Sequence, residues 1–167
     1  MSVAEHRARS PASVACFVLT VSDSRTLATE TSGRAIAELL EAAGHVVVGR
    51  DLVRDDPREV ARVVAGQARR GEARVIITTG GTGLSSRDST YEALTSLFSK
   101  RIDGFGELFR MLSFEEIGAA AMLSRATAGI VERCAVFLLP GSEAAVRLAM
   151  AKLILPELGH VVRELSR

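Results

Sequence analysis

The sequence lacks the features that mark several classes of protein. It has no tryptophan and only 4% aromatic residues, too few to build a surface on which nucleic-acid bases stack. Its net charge is +1 without a basic run, which argues against a nucleic-acid groove and favours a small ligand. No apolar stretch is long enough to cross a membrane. With 47% hydrophobic residues in a chain of 167, we expect one domain with its own core.

Cysteine and histidine give no sign of a metal or redox site. Cys16 and Cys134 lie in separate apolar segments without a C-x-x-C pair, which predicts buried free thiols in a cytoplasmic protein. We interpret the scattered histidines, His6, His45 and His160, as surface or packing residues without metal-ligating partners at helical spacing.

The chain is predicted to begin with a polar tail. Residues 1–13 are interpreted as disordered or loosely ordered, and residues 14–167 as a single domain. The apolar run that begins at Val14 is only eight residues long and has no small-x-small cleavage site behind it. It therefore predicts the first strand of the domain rather than a signal peptide.

Alternating strand and helix patterns cover the first half of the chain. Strands are predicted over 15–21, 45–53 and 75–78. The first intervening helix is predicted to be capped by Thr31 or Ser32 and the second by Asp56. The order of elements predicts a parallel sheet with helices on both faces.

The second half is harder to interpret. Asp103–Gly106 predicts a turn, and 107–123 is helical in pattern with a break near Ser113 or Gly118. The apolar stretch Met111–Ile117 either covers the sheet or contacts another subunit, and we expect the subunit contact. Two more strands over 127–132 and 135–139, a helix capped by Ser142 and an interruption at Pro156 complete the predicted elements.

The most informative stretch joins a strand, a glycine-rich loop and a helix start. Residues 75–78 have no alternating polar side chain, which predicts a strand buried on both faces. The loop behind it lacks β-carbons at three positions: Gly80, Gly81 and Gly83. The backbone N–H groups between Thr79 and Leu84 can therefore approach an anion closely. A capping box from Ser89 to Glu92 predicts a helix N-terminus directly afterwards.

The loop fits neither common nucleotide fingerprint. No lysine follows as a Walker loop requires, and Ser86 stands where the dinucleotide fingerprint needs glycine or alanine. From spacing alone, a plain glycine-rich turn remains an alternative. Arg87 and Asp88 at the end of the loop favour a ligand that combines phosphate with a divalent metal.

Two aspartates are the candidate metal ligands. Asp55 and Asp88 follow what we interpret as neighbouring strands, and Asp55 has no evident structural role. Mg²⁺ is usually held by one or two carboxylates and phosphate oxygens, which this pair beside a glycine loop would suit. Ligands bind beyond the carboxyl ends of parallel strands. Four polar loops are predicted there: 22–26, 54–56, 79–88 and 140–142. A solvated turn residue is the alternative for either aspartate.

Seven motifs occur in the order in which one known family carries them. They are Val21-Ser-Asp-Ser24, Ser32-Gly33, Thr79-Gly-Gly-Thr-Gly83, Arg87-Asp88, Gly104-Phe-Gly-Glu107, Ser124-Arg125 and Pro140-Gly141-Ser142. Together they resemble the molybdenum cofactor biosynthesis proteins MoaB and Mog, whose domain also occurs as the G domain of gephyrin. The resemblance covers about residues 15–165, and the stretch from Gly104 to Ile117 resembles MoaB more than Mog.

The resemblance implies a three-layer α/β/α sandwich around a mostly parallel sheet. It implies a molybdopterin adenylyltransferase, in which molybdopterin and Mg-ATP give adenylyl-molybdopterin and pyrophosphate. It also implies self-association as a trimer or a dimer of trimers. Asp55 and Asp88 are the implied catalytic and Mg²⁺-binding residues. The implied substrate-binding residues are Ser22, Asp23, Thr79, Gly80, Gly81, Thr82, Gly83, Arg87, Pro140, Gly141 and Ser142.

One position departs from the family pattern. Glu30 stands where the family often has aspartate, and we expect the longer side chain to carry the charge further outward. Both acidic positions of the site are present, which favours an active enzyme. Two alternatives remain: a non-catalytic molybdopterin carrier of the same fold, and a CinA-like nucleotide pyrophosphatase that uses water as the acceptor.

Overall fold

The computed structural model describes residues 2–167 and contains a six-stranded sheet. The strands are β1 Ala15–Val21, β2 Val46–Val53, β3 Val75–Thr79, β4 Lys100–Arg101, β5 Thr127–Val131 and β6 Cys134–Leu139. Their order across the sheet is β2-β1-β3-β6-β5-β4. The neighbours among β2, β1, β3 and β6 pair in parallel, whereas β5 is antiparallel to both β6 and β4. The predicted mostly parallel sheet is therefore confirmed.

Helices cover both faces of the sheet. They are α1 Val3–Ala8, α2 Ser32–Ala42, α3 Pro57–Arg70, α4 Thr90–Thr95, α5 Asp103–Ile117, α6 Glu143–Ala149 and α7 Leu155–Leu165. A 3₁₀ segment, Gly118–Leu123, follows α5, and a π-helical turn, Met150–Ile154, joins α6 to α7. One core cluster contains residues of α2, α5, α6 and α7, and the other contains residues of α3 and α4. This is the predicted three-layer α/β/α sandwich. Among the described helices, none combines the length and apolarity that a membrane span needs.

Strand β3 and helix α3 form as their sequences predict. All five residues of β3 are buried, because β1 and β6 flank this strand and helices cover both of its faces. The side chain of Asp56 accepts hydrogen bonds from the backbone N–H groups of Arg58 and Glu59. Pro57 occupies the first helical position, and Gly71 ends α3 with φ 73°.

Two predicted caps stand at the N-cap position but make no side-chain cap bond. Thr31 precedes the first residue of α2 as predicted, yet the carboxylate that serves this helix start is Glu30, whose Oε2 accepts a hydrogen bond from the backbone N–H of Gly33 at 2.7 Å. The predicted Ser89 capping box is absent, since the Ser89 side chain makes no cap bond to α4. At each of these helix starts a carboxylate accepts one backbone N–H instead: Glu30 accepts from Gly33, and Asp55 accepts from Ser89.

The structure differs from the predicted loose tail at residues 3–8, which form a short helix. From Ser2 onward the chain forms α1, which begins with a capping box between Ser2 and Glu5. His6 Nδ1 lies 2.9 Å from Glu164 Oε1 on α7. These partners are far apart in sequence, so local polarity could not reveal the contact. Met1 lies outside the described residues.

The second half also differs from its prediction in places. Asp103–Gly106 is the first turn of α5 rather than a separate turn. Helix α5 continues through Ser113, and the predicted break lies at the second of its two candidate positions, Gly118, where φ is 66°. Pro156 lies in the first turn of α7, so it begins that helix instead of interrupting one. The strands predicted over 127–132 and 135–139 are confirmed to within one residue as β5 and β6, whereas β4, two residues long, was missed.

The two cysteines are buried free thiols, as predicted. Burial raises the pKa of the Cys16 thiol to about 12. Burial also raises the pKa of Cys134. Because the thiolate is the reactive form of cysteine, neither side chain is suited to nucleophilic chemistry at neutral pH.

Candidate active site at the carboxyl edge of the sheet

A cleft of about 580 Å³ opens beyond the carboxyl ends of β1, β3 and β6. One side of it consists of strand ends and loops, including Ser22, Thr79, Gly80, Gly81, Thr82, Gly83, Asp88, Pro140, Gly141 and Ser142. The other side is formed by α5 and the 3₁₀ segment. This is where parallel α/β sheets place ligands, and the volume suits a small molecule. The cleft surface thus contains most of the residues that the sequence analysis assigned to substrate binding.

The loop after β3 needs glycine at two successive positions. Gly80 has φ 99° and Gly81 has φ 70°, a region that other residues rarely adopt. A Cβ at Gly80 would overlap the backbone oxygen of Val21, and a Cβ at Gly81 would overlap Oγ1 of Thr90. The loop therefore lies directly over the end of β1, and it has no side chain of its own at Gly80 or Gly81 to cover its backbone.

Hydrogen bonds tie this loop to the loop after β6. Thr79 Oγ1 donates to the backbone oxygen of Pro140 at 2.9 Å. The backbone N–H of Gly80 donates to the oxygen of Leu139 at 3.1 Å. Ser32 Oγ at the start of α2 donates to the oxygen of Gly141 at 2.8 Å. Two loops distant in sequence and one helix start are thereby held in a fixed arrangement.

Arg125 holds the far end of the glycine loop. Its Nε donates to the backbone oxygen of Thr82 at 3.0 Å, and its Nη2 donates to the oxygen of Gly83. The guanidinium also pairs with Glu92 and lies 4.8 Å from the centroid of the Tyr91 ring. Glu92, predicted as part of a cap, is therefore used to orient Arg125. The sequence analysis noted Arg125 within a motif but assigned it no role.

Asp55 has a structural contact that the sequence analysis did not foresee. Its Oδ1 accepts hydrogen bonds from the backbone N–H of Ser89 at 3.1 Å and from Ser89 Oγ at 2.7 Å. Its Oδ2 lies 2.9 Å from the point that a Cβ of Gly81 would occupy. The side chain thus connects the end of β2 to the start of α4 and leaves one oxygen beside the glycine loop.

Asp88 lies in the cleft surface at the other end of the loop. Its Oδ2 accepts a hydrogen bond from the backbone N–H of Ser85 at 3.1 Å and would be 2.6 Å from a Cβ at Gly83. The prediction that Asp55 and Asp88 follow neighbouring strands is wrong, because β1 lies between β2 and β3. The glycine loop brings the two aspartates to the same edge of the sheet nonetheless, since it crosses the end of β1.

Asp23 and Arg87 join Asp55 in a hydrogen-bonded chain beside the loop. Asp23 Oδ1 accepts from the backbone N–H of Asp55 at 3.1 Å, and its Oδ2 accepts from Arg87 Nη2 at 2.9 Å. The Asp55 N–H and then the Arg87 guanidinium hold the pKa of Asp23 below its usual value. These three residues are not part of the cleft surface itself. In this structure, Arg87 is engaged by protein rather than directed into the cleft.

Thr90 is a site residue that the sequence analysis missed. Its Oγ1 is buried and finds no hydrogen-bond partner within the described chain. This hydroxyl and Asp55 Oδ2 both lie close to the point that a Cβ of Gly81 would occupy. A buried hydroxyl without a partner is costly, so it points to a ligand or water that supplies the bond. The sequence signal that could have revealed Thr90 was its position at the start of α4, two residues after Asp88.

The donor set fits a Mg²⁺ ion that shares its coordination with a ligand. Asp55, Asp88 and the Thr90 hydroxyl offer oxygen atoms around the glycine loop, the ligand type that Mg²⁺ prefers. Within residues 2–167, neither Asp55 nor Asp88 belongs to a group of three histidine, cysteine or acidic side chains whose ligand atoms lie within 4.8 Å of one another, so an ion here would need oxygens from a ligand or water. One or two carboxylates with phosphate and water is the usual coordination of Mg²⁺.

Comparison with known proteins identifies the family. A family model described as "Probable molybdopterin binding domain" matches residues 17–160. The chain belongs to this family. Molybdenum cofactor biosynthesis protein B of Bacillus anthracis is 51% identical over 168 residues, which is 100% of this chain and 99% of that protein.

Solved structures of the family have the same fold. A crystal structure of molybdenum cofactor biosynthesis protein B has 49% sequence identity and a TM-score of 0.91, covering 95% of this chain and 99% of that chain. The tungsten cofactor synthesizing protein MoaB from Pyrococcus furiosus has 39% identity and a TM-score of 0.83, covering 94% and 99%. The predicted resemblance to MoaB and the predicted fold are confirmed.

The position that the sequence analysis expected to depart from the family pattern is buried. Glu30 is 2% exposed, so the expectation that its charge moves outward is wrong. Its Oε1 pairs with Arg50 from β2. A Cβ at Gly33 would overlap Oγ1 of Thr20, so the helix start can approach β1 only with glycine there. Glu30 therefore stabilises the start of α2 beneath the cleft. Arg50 gave no sequence signal, because an arginine in a strand is ordinarily assigned to the surface.

Helix α5 and the 3₁₀ segment carry a set of exposed apolar side chains, which we call the apolar wall; two of its members, Ile117 and Leu123, line the cleft. The apolar wall consists of Leu108, Met111, Phe114, Ile117, Met122 and Leu123. Phe114 is 61% exposed and Met122 is 78% exposed, whereas Phe105 and Phe109 of the same helix lie in the core. The sheet is thus covered without the apolar wall. This removes the first alternative for the Met111–Ile117 stretch, and the subunit contact stays a prediction.

Proposed function

We propose that this protein adenylylates molybdopterin with Mg-ATP and releases pyrophosphate. The family membership and the names of the relatives support a role in molybdenum cofactor biosynthesis. The specific reaction rests on one observation. A bare glycine loop at the carboxyl edge of the sheet lies between two carboxylates, Asp55 and Asp88, beside a buried hydroxyl without a partner.

The reaction transfers an adenylyl group between two phosphate-bearing molecules. An oxygen of the molybdopterin phosphate attacks the α-phosphorus of ATP, the bond from that phosphorus to the bridging oxygen breaks, and pyrophosphate leaves. No bond to the protein forms, so the protein must align the substrates and neutralise charge. A cleft in which two loops and one helix start are fixed to one another by hydrogen bonds supports this role.

The side chains around the loop have separable tasks in this proposal. The backbone of residues 79–83 binds phosphate oxygens through its N–H groups. Arg125 keeps the loop in its binding conformation by holding the oxygens of Thr82 and Gly83. Mg²⁺ held by Asp55 and Asp88 would supply positive charge for the departing pyrophosphate. Ile117 and Leu123 line the cleft opposite the loop and supply apolar surface there.

The test is pyrophosphate release from Mg-ATP by the purified protein, with and without molybdopterin. We expect release that depends on the pterin and is lost in Asp88→Asn. Asp51→Asn is the matched control, because Asp51 is an exposed aspartate on β2 whose side chain accepts from the adjacent Leu52 N–H. Release without pterin would replace the proposal with a nucleotide pyrophosphatase. Tight pterin binding without any release would replace it with a carrier.

A further inference from the structure

The two ends of the described chain meet in a cluster of histidine and glutamate side chains. His6 on α1 places Nδ1 2.9 Å from Glu164 Oε1 on α7, and His160 Nε2 lies 4.0 Å from the same oxygen. One potential metal-ligating atom from each of these three residues lies within 4.8 Å of the other two. The interpretation of both histidines as residues without a metal-ligating partner overlooked Glu164, one helical turn after His160.

We propose that His6, His160 and Glu164 bind a divalent transition ion of the zinc type. Two imidazole nitrogens and a carboxylate oxygen are a common protein ligand set for zinc, with water at the fourth position. Zinc bond lengths of about 2.0–2.1 Å place tetrahedral ligand atoms about 3.3 Å apart. The two observed separations to Glu164 Oε1, 2.9 Å and 4.0 Å, lie on either side of that value. The third separation, between the two histidine nitrogens, is at most 4.8 Å, so small side-chain rotations would bring all three ligand atoms to the tetrahedral spacing.

A second carboxylate orients one of the imidazole rings. His160 Nδ1 lies 2.8 Å from Glu157 Oε2, so a proton on Nδ1 leaves the lone pair of Nε2 directed at the cluster. Histidine ligands of zinc commonly donate their other ring nitrogen to a carboxylate in this way. Glu157 is held in turn by Arg7 of α1. The ring thus has a ligating nitrogen and a fixed orientation before any ion binds.

The positive charges near the cluster already contact other acceptors. Arg7 pairs with Glu157, and Arg163 Nη1 donates to the backbone oxygen of His6 at 3.2 Å. Arg167 Nη1 lies 3.2 Å from Glu164 Oε2 and 3.4 Å from Oε1, so it can keep the nearer oxygen and release Oε1 when the ion binds. Both histidine side chains are mostly buried, so water competes weakly for their nitrogens.

The ligand atoms of the His6–His160–Glu164 cluster differ from those around the cleft. Imidazole nitrogen suits zinc, copper and nickel, whereas the all-oxygen set at the glycine loop suits magnesium. The two sites would thus select different ions from a mixture. A bound ion would also fasten α1 to α7, because its ligands come from both helices.

The experiment is a zinc titration of the full-length, untagged protein after chelator treatment, with a colorimetric zinc indicator as competitor. We expect one ion per chain, unaffected by excess MgCl₂. His6→Gln and His160→Gln should each weaken binding by at least about 10-fold, and Glu157→Gln should weaken it by a similar factor through the ring of His160. CoCl₂ should give the visible absorption of a tetrahedral site. Hydrogen exchange of α1 amides should slow when zinc is present.

His45→Gln is the matched control. His45 is a third partly buried histidine, its Nδ1 accepts from the backbone N–H of Val14, and it contributes no atom to the cluster. This variant should bind zinc as the parent protein does. Equal affinity in the parent, His6→Gln and His160→Gln would overturn the proposal, as would equal loss in His45→Gln. Circular dichroism confirms that each variant is folded before it is compared.

Discussion

The two sides of the cleft are built by different physical means. On the side of the strand ends, the loops are fixed by hydrogen bonds such as Thr79 to Pro140 and Arg125 to Thr82. On the side of α5 and the 3₁₀ segment, the apolar wall presents six large hydrophobic side chains to solvent, and these side chains cannot form hydrogen bonds. A hydrogen-bonded loop has one correct geometry, whereas an apolar surface needs only area. The first side should therefore be intolerant of small changes, and the second should tolerate them.

The largest effect is expected from the carboxylates. Asp88→Asn and Asp55→Asn should each lower adenylylation by about 100-fold or more, because an amide cannot replace the charge that holds the cation. Asparagine can still accept the hydrogen bonds from Ser85 or Ser89, so the melting temperature should change little. Steady-state pyrophosphate release and thermal unfolding measure the two quantities. Near-normal turnover in either variant would remove that residue from the proposed metal site.

The buried ion pair should give the largest loss of stability. Glu30→Gln removes the charge opposite Arg50 and should cost about 2–3 kcal/mol in the free energy of unfolding; the partial exposure of Arg50 keeps the cost below that of a fully buried pair. Urea unfolding measures this value. Glu38→Gln on the exposed side of the same helix is the control and should change it by less than about 0.5 kcal/mol. Equal stabilities would mean that Arg50 is adequately solvated without its partner.

A single methyl group should distinguish the loop from an ordinary helix position. Gly81→Ala forces a Cβ into Thr90 at a positive φ and should cost about 1–3 kcal/mol, with loss of nucleotide binding. Gly66→Ala in α3 meets no atom within 4 Å and should stabilise the protein by about 0.5–1 kcal/mol. Opposite signs for the two substitutions in chemical denaturation would confirm the comparison. A neutral Gly81→Ala would show that the loop can move away from β1.

The features that the sequence predicted are those decided over a few residues. Asp56 and Pro57 form a cap because both side chains act within one turn, and β3 is buried because its own pattern is continuously apolar. The features that it did not predict depend on distant partners. Arg50 meets Glu30 across 20 residues, and Arg125 meets Thr82 across 43. A single sequence carries no signal for such pairs, whereas the glycine loop was predicted because its constraint is local.

The smallest effect on stability is expected at the apolar wall. Phe114→Ser should change the free energy of unfolding by less than about 0.5 kcal/mol and leave catalysis intact, because Phe114 is already exposed. It should, however, weaken self-association, since we propose that the apolar wall lies against another copy of the chain. Sedimentation velocity at micromolar concentration measures the self-association of the parent protein and of Phe114→Ser. A parent protein that sediments as a monomer would contradict this proposal.

The order of strands also determines when the cleft can exist during synthesis. The glycine loop at residues 79–83 is anchored to Leu139 and Pro140, which are translated about sixty residues later. Because β6 lies between β3 and β5 at the middle of the sheet, an emerging chain holds an unpaired edge on β3 until that late strand arrives. We therefore expect ribosome-bound chains truncated before residue 134 to fail to retain nucleotide, even though they contain both candidate aspartates.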